Sequence, residues 1–267
     1  MIGPAPAKIN LALVVGPKRD DDRHELVTVF QRVDLVDRIR VEPARQTTVE
    51  GFGDDTIVQR ALALLDAPHG WRIRIDKHIP VAAGLGGGSS DAATALRLAN
   101  AELDQPLPVE RLAELAAQVG ADVPFFLYDG PQLGTGDGTA LEPVELPQDF
   151  FVLLLLPNGA RKPSTGEVYA AFDEHRGDEG YAERASALRT ALATVRRPRD
   201  LAALPPNDLA ASPLADELRA LGAFRADVSG AGPTVYGLFV NRPEAVSARR
   251  SLRRFGRAWV TVPAWYG

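Results

Sequence analysis

Trp71-Arg72-Ile73-Arg74-Ile75-Asp76 alternates apolar and polar residues, the period of a half-buried strand. Ala7 to Val15 reads as another strand, with polar Lys8 and Asn10 two apart and therefore on one face. Leu26 to Val33 and Leu35 to Val41 predict two more. Phe150 to Leu156 is continuously apolar and predicts a buried strand opening a second half. Helical spacing marks Asp54 to Leu65, with Asp54 or Asp55 as cap, and Pro108 to Val119, stopping at Gly120. It recurs in Pro163 to Glu174, Tyr181 to Val195, Ser212 to Leu221 and Pro243 to Phe255. Lys18 to Arg23 is a charged loop, Gly134 to Gly138 a tight turn, and Pro205-Pro206-Asn207-Asp208 a break. Ala226 to Val240 reads as strand, glycine turn, strand, and Arg257 to Val262 as a last strand. Helices mixed with hairpin-like strand pairs predict α+β layers.

One stretch stands out: Pro80-Val81-Ala82-Ala83-Gly84-Leu85-Gly86-Gly87-Gly88-Ser89-Ser90-Asp91-Ala92-Ala93. The 71–76 strand precedes it. A helix follows, with apolar Ala92, Ala95, Leu96, Ala99 and Leu103, Ser89 or Ser90 as N-cap, and Pro106 beyond its end. Four of the five residues 84–88 are glycine. Without Cβ atoms, a ligand can approach the backbone closely. The free N–H groups of the helix start then face the loop, so a phosphate is the expected guest. The loop lacks a Gly-Lys-Ser/Thr ending and is no Walker A loop. Ser89 falls where the third glycine of G-x-G-x-x-G would stand.

At 267 residues and 45% hydrophobic, the chain can build one large or two small cores. No run of about 18 apolar residues suggests a membrane span, and the N-terminus has no basic-then-apolar signal pattern. The absence of cysteine excludes disulfides, thiol nucleophiles and thiolate metal sites. A cytoplasmic protein is expected. A formal charge of −5 speaks against general nucleic-acid binding; Arg249, Arg250, Arg253, Arg254 and Arg257 are read as a solvated helix face. Lysine occurs only at Lys8, Lys18, Lys77 and Lys162, against an arginine background. A lysine kept there hints at a need for a compact point charge. His69, His78 and His175 show no metal-ligand spacing, and Asp20-Asp21-Asp22 is read as a solvated turn.

Three stretches in order, Pro6-Ala7-Lys8-Ile9-Asn10-Leu11, Pro80 to Ala93, and Val228-Ser229-Gly230-Ala231-Gly232-Pro233-Thr234, resemble the three motifs of the GHMP small-molecule kinases. Gly120-Ala121-Asp122-Val123-Pro124-Phe125 and Asn207-Asp208-Leu209 are similar to segments of the branch that takes a cytidyl diphosphate substrate. The resemblance implies an α+β two-domain fold. Residues 1–150 would form an N-terminal ATP-binding domain like the second domain of ribosomal protein S5, and 151–267 a ferredoxin-like C-terminal domain, with catalysis between them.

It also implies ATP as phosphoryl donor with Mg2+, and a small-molecule cytidyl diphosphate as acceptor. Pro80 through Ser90 would hold the triphosphate. Asp122 would orient the acceptor hydroxyl and take its proton, and Lys8 would keep that carboxylate ionised. Asn10, His24, Thr165, Tyr169, Gly230 and Gly232 would bind substrate, with Tyr169 stacking on the cytosine. The family commonly has an aromatic residue immediately before the histidine. Here it is Arg23, whose guanidinium plane can also stack on a base. Ser90 is a candidate magnesium ligand. A kinase for another small alcohol, such as homoserine or a mevalonate derivative, and a non-catalytic nucleotide-binding protein of the same fold are the alternatives. Retention of both Lys8 and Asp122 speaks against the latter.

Overall fold

The computed structural model describes residues 1–52, 56–160 and 164–264. They form two antiparallel-rich sheets with helices packed outside and apolar side chains between. The first sheet is built on a long hairpin, β1 (Ile2–Lys18) and β2 (His24–Ala44), whose turn is the charged loop of residues 19–23. Against β2 lie β5 (Gln132–Gly136) at residues 26–30 and β4 (Gly70–Asp76) at residues 38–44. Short β3 (Thr48–Glu50) and β6 (Ala140–Pro143) complete it, in the order β3-β4-β2-β5-β6 with β1 on β2.

The two strands expected at 26–33 and 35–41 are one strand. Its pairing jumps from Pro6↔Val36 to Ala7↔Val33, so Asp34 and Leu35 bulge out of the ladder. A bulge reverses which face each following side chain meets, and this broke the alternation in the sequence.

Helices α1 (Thr56–Ala63), α2 (Gly87–Asn100) and α3 (Val109–Val119) cover one face. Ile39, Val41, Ile73, Ile75 and Trp71 pack there with Leu62, Ala92 and Leu96. The proposed caps Asp54 and Asp55 lie outside the described residues. Helix α2 starts earlier than expected. Its N-cap is Gly86, at φ 68°, not Ser89 or Ser90. A left-handed residue turns the chain directly into the helix, and the Ser90 N–H already donates to Gly86 O at 2.9 Å. The helix ends at Asn100, so Leu103 packs against the core from the loop beyond. Asn100 braces that loop through both amide atoms to Leu107.

The second sheet has the order β10-β7-β9-β8, all antiparallel: β7 (Phe151–Pro157), β8 (Arg225–Val228), β9 (Val235–Phe239) and β10 (Gly256–Thr261). Both faces of β7 are covered, which explains its unbroken apolar run. Val152 and Leu154 join a core with Ile9 and Leu11 of β1 and Leu188 of α5 (Tyr181–Thr194). Leu153 and Leu155 face α6 (Pro213–Ala220) and α7 (Arg242–Leu252). The two sheets thus share a core through β1. Arg249, Arg250, Arg253, Arg254 and Arg257 are all exposed, but only Arg249 and Arg250 lie on α7; Arg253 and Arg254 follow its end and Arg257 is on β10. The expected helix from Pro163 is α4 (Thr165–Glu174), N-capped by Ser164 in a reciprocal capping box with Glu167; Pro163 lies outside the described residues. The turn expected at 134–138 is displaced, because Gly134 to Gly136 pair with β2 as part of β5.

Candidate active site

A cleft of about 920 Å³ opens between the hairpin, the glycine loop, the turn at Asp122, α4 and the β8–β9 loop. The glycine loop is fixed from two sides. The Lys8 N–H donates to Leu85 O at 2.9 Å, tying the loop to β1. Ser229 Oγ donates to Gly84 O at 3.0 Å and the Thr234 N–H to Ala83 O at 3.2 Å, tying it to the β8–β9 loop. Gly84 has φ +78°, and a Cβ there would stand 2.6 Å from Ser229 O and 2.7 Å from Gly232 O. Backbone meets backbone here, so only glycine fits. Residues 80 through 89 line the cleft. Ser90 does not. It is fully buried, and its hydroxyl has no partner among the described residues.

Lys8 and Asp122 meet. Nζ is 3.2 Å from Oδ2, with the lysine side chain 5% exposed and the aspartate 39%. Asn10, on the same strand face, accepts from Lys8 Nζ at 2.7 Å and donates to Thr28 Oγ1 at 2.8 Å; Thr28 in turn donates to Ala12 O. The Phe30 ring lies under the ammonium, 5.5 Å away. Thr28 and Phe30 escaped the sequence reading, although both sit on β2 across from the Lys8–Asn10 face. Gly230, at φ 56°, borders this group: a Cβ there would be 3.4 Å from Asn10 Oδ1 and 3.5 Å from Lys8 Nζ. Gly232 sits outside the cleft lining and serves the contact with Gly84.

At another part of the cleft His24 is buried, its ring stacked on Tyr169 at 4.6 Å and 25° and its Nε2 2.7 Å from Asp173 Oδ1. One face of Tyr169 is therefore already covered. Burial, and then the charge of Asp122, push the Tyr169 hydroxyl up to about 12, so it stays a neutral phenol. Thr165, the first residue of α4, is exposed on the cleft. Arg23 lines the cleft with its guanidinium on the Asp137 carboxylate. Burial raises the Asp137 carboxyl, but hydrogen bonds from Thr139 and Arg23 outweigh it and leave it below its ordinary value.

Lys77 also lines the cleft, beside the glycine loop. Its only advance signal was the scarcity of lysine. Nζ donates to Asp37 Oδ2 at 2.6 Å and to Asp91 Oδ2 at 2.7 Å. A Cβ on Gly87 would be 3.2 Å from it. Burial, reinforced by the charge of Asp37 and opposed by Lys77, pushes the Asp91 carboxyl up to about 8. Among the described residues, no group of three or more His, Cys, Asp or Glu could hold a metal.

The chain matches the family described as GHMP kinases N terminal domain over residues 56–130, and GHMP kinases C terminal over 206–258. The fold is that of a GHMP kinase, with the α+β two-domain architecture expected from the motifs. It is 39% identical over 289 aligned positions to the 4-diphosphocytidyl-2-C-methyl-D-erythritol kinase of Thermobifida fusca, covering 97% of this chain and 93% of that one. It is 36% identical to the same kinase of Geobacter metallireducens, covering 93% and 92%. A crystal structure of 4-(cytidine 5'-diphospho)-2C-methyl-D-erythritol kinase superposes with a TM-score of 0.79 at 34% identity, over 99% of this chain and 100% of that one. Mevalonate pyrophosphate decarboxylase from Streptococcus pyogenes, at 16% identity and TM-score 0.77, shares the fold. The chain belongs to the 4-diphosphocytidyl-2-C-methyl-D-erythritol kinase family.

Proposed function

We propose that this chain transfers the γ-phosphoryl of ATP to the 2-hydroxyl of 4-diphosphocytidyl-2-C-methyl-D-erythritol. The products are the 2-phosphate and ADP, and the step belongs to the non-mevalonate route to isoprenoid precursors. The observation that carries the reading is the Lys8–Asp122 pair, set in one cleft with the glycine loop and α4.

Phosphoryl transfer asks for positioning and charge neutralisation more than covalent help. In this reading the amides of residues 84–89 and the start of α2 hold the triphosphate. The Asp122 carboxylate accepts a hydrogen bond from the acceptor hydroxyl and takes its proton as the oxygen attacks the γ-phosphorus. The bond from that phosphorus to the β–γ bridging oxygen breaks, and the electron pair leaves with ADP. Buried Lys8 sets a positive charge 3.2 Å from the Asp122 carboxylate and steadies the charge gathering on the attacking oxygen. Asn10 holds Lys8 in place. His24, Tyr169, Thr165, Arg23 and Gly230 surround the acceptor, with the free face of Tyr169 and the plane of Arg23 available to the cytosine.

Among the described residues no cluster of three or more His, Cys, Asp or Glu offers a magnesium shell, and Ser90, buried away from the cleft lining, does not fit as a ligand. Magnesium would come with ATP, held by phosphate oxygens and water. We place the division between the two domains near residue 150, where the chain passes from the first sheet to the second, and the enzyme in the cytoplasm. No described helix is long and apolar enough to cross a membrane.

The test is ADP release with the cytidyl substrate, homoserine and mevalonate offered separately. Turnover with the first alone is expected. Turnover only with homoserine or mevalonate would overturn the substrate, and none with any would favour a nucleotide-binding protein without activity.

A further inference from the structure

One imidazole anchors α4. The helix has a single buried residue, Phe172, and places Thr165, Tyr169 and Asp173 on the cleft. Tyr169, Phe172 and Asp173 stand at i, i+3 and i+4, hence on one face. All three meet His24. Tyr169 stacks on its ring, Phe172 meets it edge-on at 5.9 Å and 88°, and Asp173 Oδ1 reaches its Nε2 at 2.7 Å. The His24 side chain is only 4% exposed, while that of Asp173 is 46% exposed. Phe172 completes the seat among Leu13, Val15 and Leu26 at the far end of the hairpin.

Ring stacking fixes the plane of an imidazole but not which of its two edges faces a given neighbour. A half-turn about Cβ–Cγ would exchange its nitrogen and carbon edges. Asp173 removes that freedom. A carboxylate only accepts, so the proton must lie on Nε2, and in the neutral ring Nδ1 is left as an acceptor. We propose that Asp173 is a positioning residue for the nucleobase end of the substrate: it holds His24 in one rotamer and one tautomer, and through His24 seats Tyr169 and α4 on the cleft. This rests on the substrate reading above. Asp173 has no part in phosphoryl transfer, so its loss acts on binding of the acceptor and not on the chemical step.

The experiment compares wild type, Asp173→Ala and Asp173→Asn in three readouts. The first is the ¹⁵N NMR signature of the His24 tautomer without substrate. The second is hydrogen exchange over residues 165–174, also without substrate. The third is steady-state kinetics. Asp173→Ala is expected to mix the tautomers, speed exchange across α4 and raise KM for the cytidyl substrate about tenfold, with kcat and KM for ATP within about twofold of wild type. Asp173→Asn retains an oxygen that accepts from Nε2–H, and is expected to recover most of the loss in all three. An unchanged tautomer and unchanged exchange in Asp173→Ala would overturn the proposal. So would a fall in kcat at constant KM, which would move Asp173 into the chemistry. If wild type does not turn over the cytidyl substrate, the substrate reading fails; the tautomer and exchange measurements then decide the positioning role by themselves.

Discussion

Lys8 Nζ and Asp122 Oδ2 are 3.2 Å apart, and the pair is lopsided: the ammonium is buried and the carboxylate open to the cleft. The exposed member is the one that can reach a ligand. The buried member is fixed by Asn10 and cannot follow it. Asp122→Asn keeps the shape and removes the base. It is expected to lower kcat by at least about 10²-fold while ATP binding, measured by titration calorimetry, persists. Near wild-type turnover would take Asp122 out of its role.

Gly84 lies in the glycine loop and Gly88 in the first turn of α2, and they answer to different constraints. At Gly84 a methyl would strike two backbone carbonyls of the β8–β9 loop at positive φ; at Gly88 it would meet only the end of Ile57, at 3.4 Å. Gly84→Ala is expected to destabilise by about 2 kcal/mol or more and to abolish ATP binding. Gly88→Ala should keep the melting temperature and raise KM for ATP, because the new methyl would stand beside Ile57 on the cleft wall, where the proposed reading puts the phosphates. Equal melting temperatures for the two variants would contradict this account of the loop.

The buried Asp37–Lys77–Asp91 group gives a pH dependence with a definite sign. Between the ordinary carboxylate value of 3.8 and about 8, folded Asp91 keeps a proton that the unfolded chain has released. Stability therefore falls as pH rises through that window and levels off above it. Lys77, whose pKa is raised because its two carboxylates outweigh its burial, contributes stability that is lost only above 10.5. Asp91→Asn mimics the protonated acid. Its melting temperature relative to wild type is expected to climb by several degrees from pH 5 to pH 8. A difference independent of pH would show that Asp91 titrates normally.

Arg23 is held by Asp137, so the guanidinium presents a fixed face to the cleft. Arg23→Ala is expected to raise KM for the cytidyl substrate severalfold and to leave KM for ATP nearly unchanged. Constant KM for the cytidyl substrate would show that Arg23 does not touch the base.

Much of this site was legible because its chemistry is local. Lys8 and Asn10 share a strand face by period alone, and the glycine run stands between a strand and a helix whatever the rest of the chain does. What escaped depended on distant pairing. Asp37 and Asp91 lie 54 positions apart in sequence, a separation that follows directly from their numbering, and only the packing of β2 against α2 brings them to Lys77. The Asp34–Leu35 bulge hid the continuity of β2, because a two-residue slip looks like the end of one strand and the start of another. Ser90 read as a cap since serine prefers that place, but the left-handed Gly86 had already begun the helix.

The measurement closest to the central claim is a ³¹P NMR spectrum of the products formed from ATP and the cytidyl substrate. A new phosphomonoester on the erythritol 2-oxygen is expected, with the cytidyl diphosphate intact and ADP in equal amount. Free phosphate with unmodified cytidyl substrate, or a broken diphosphate, would contradict it.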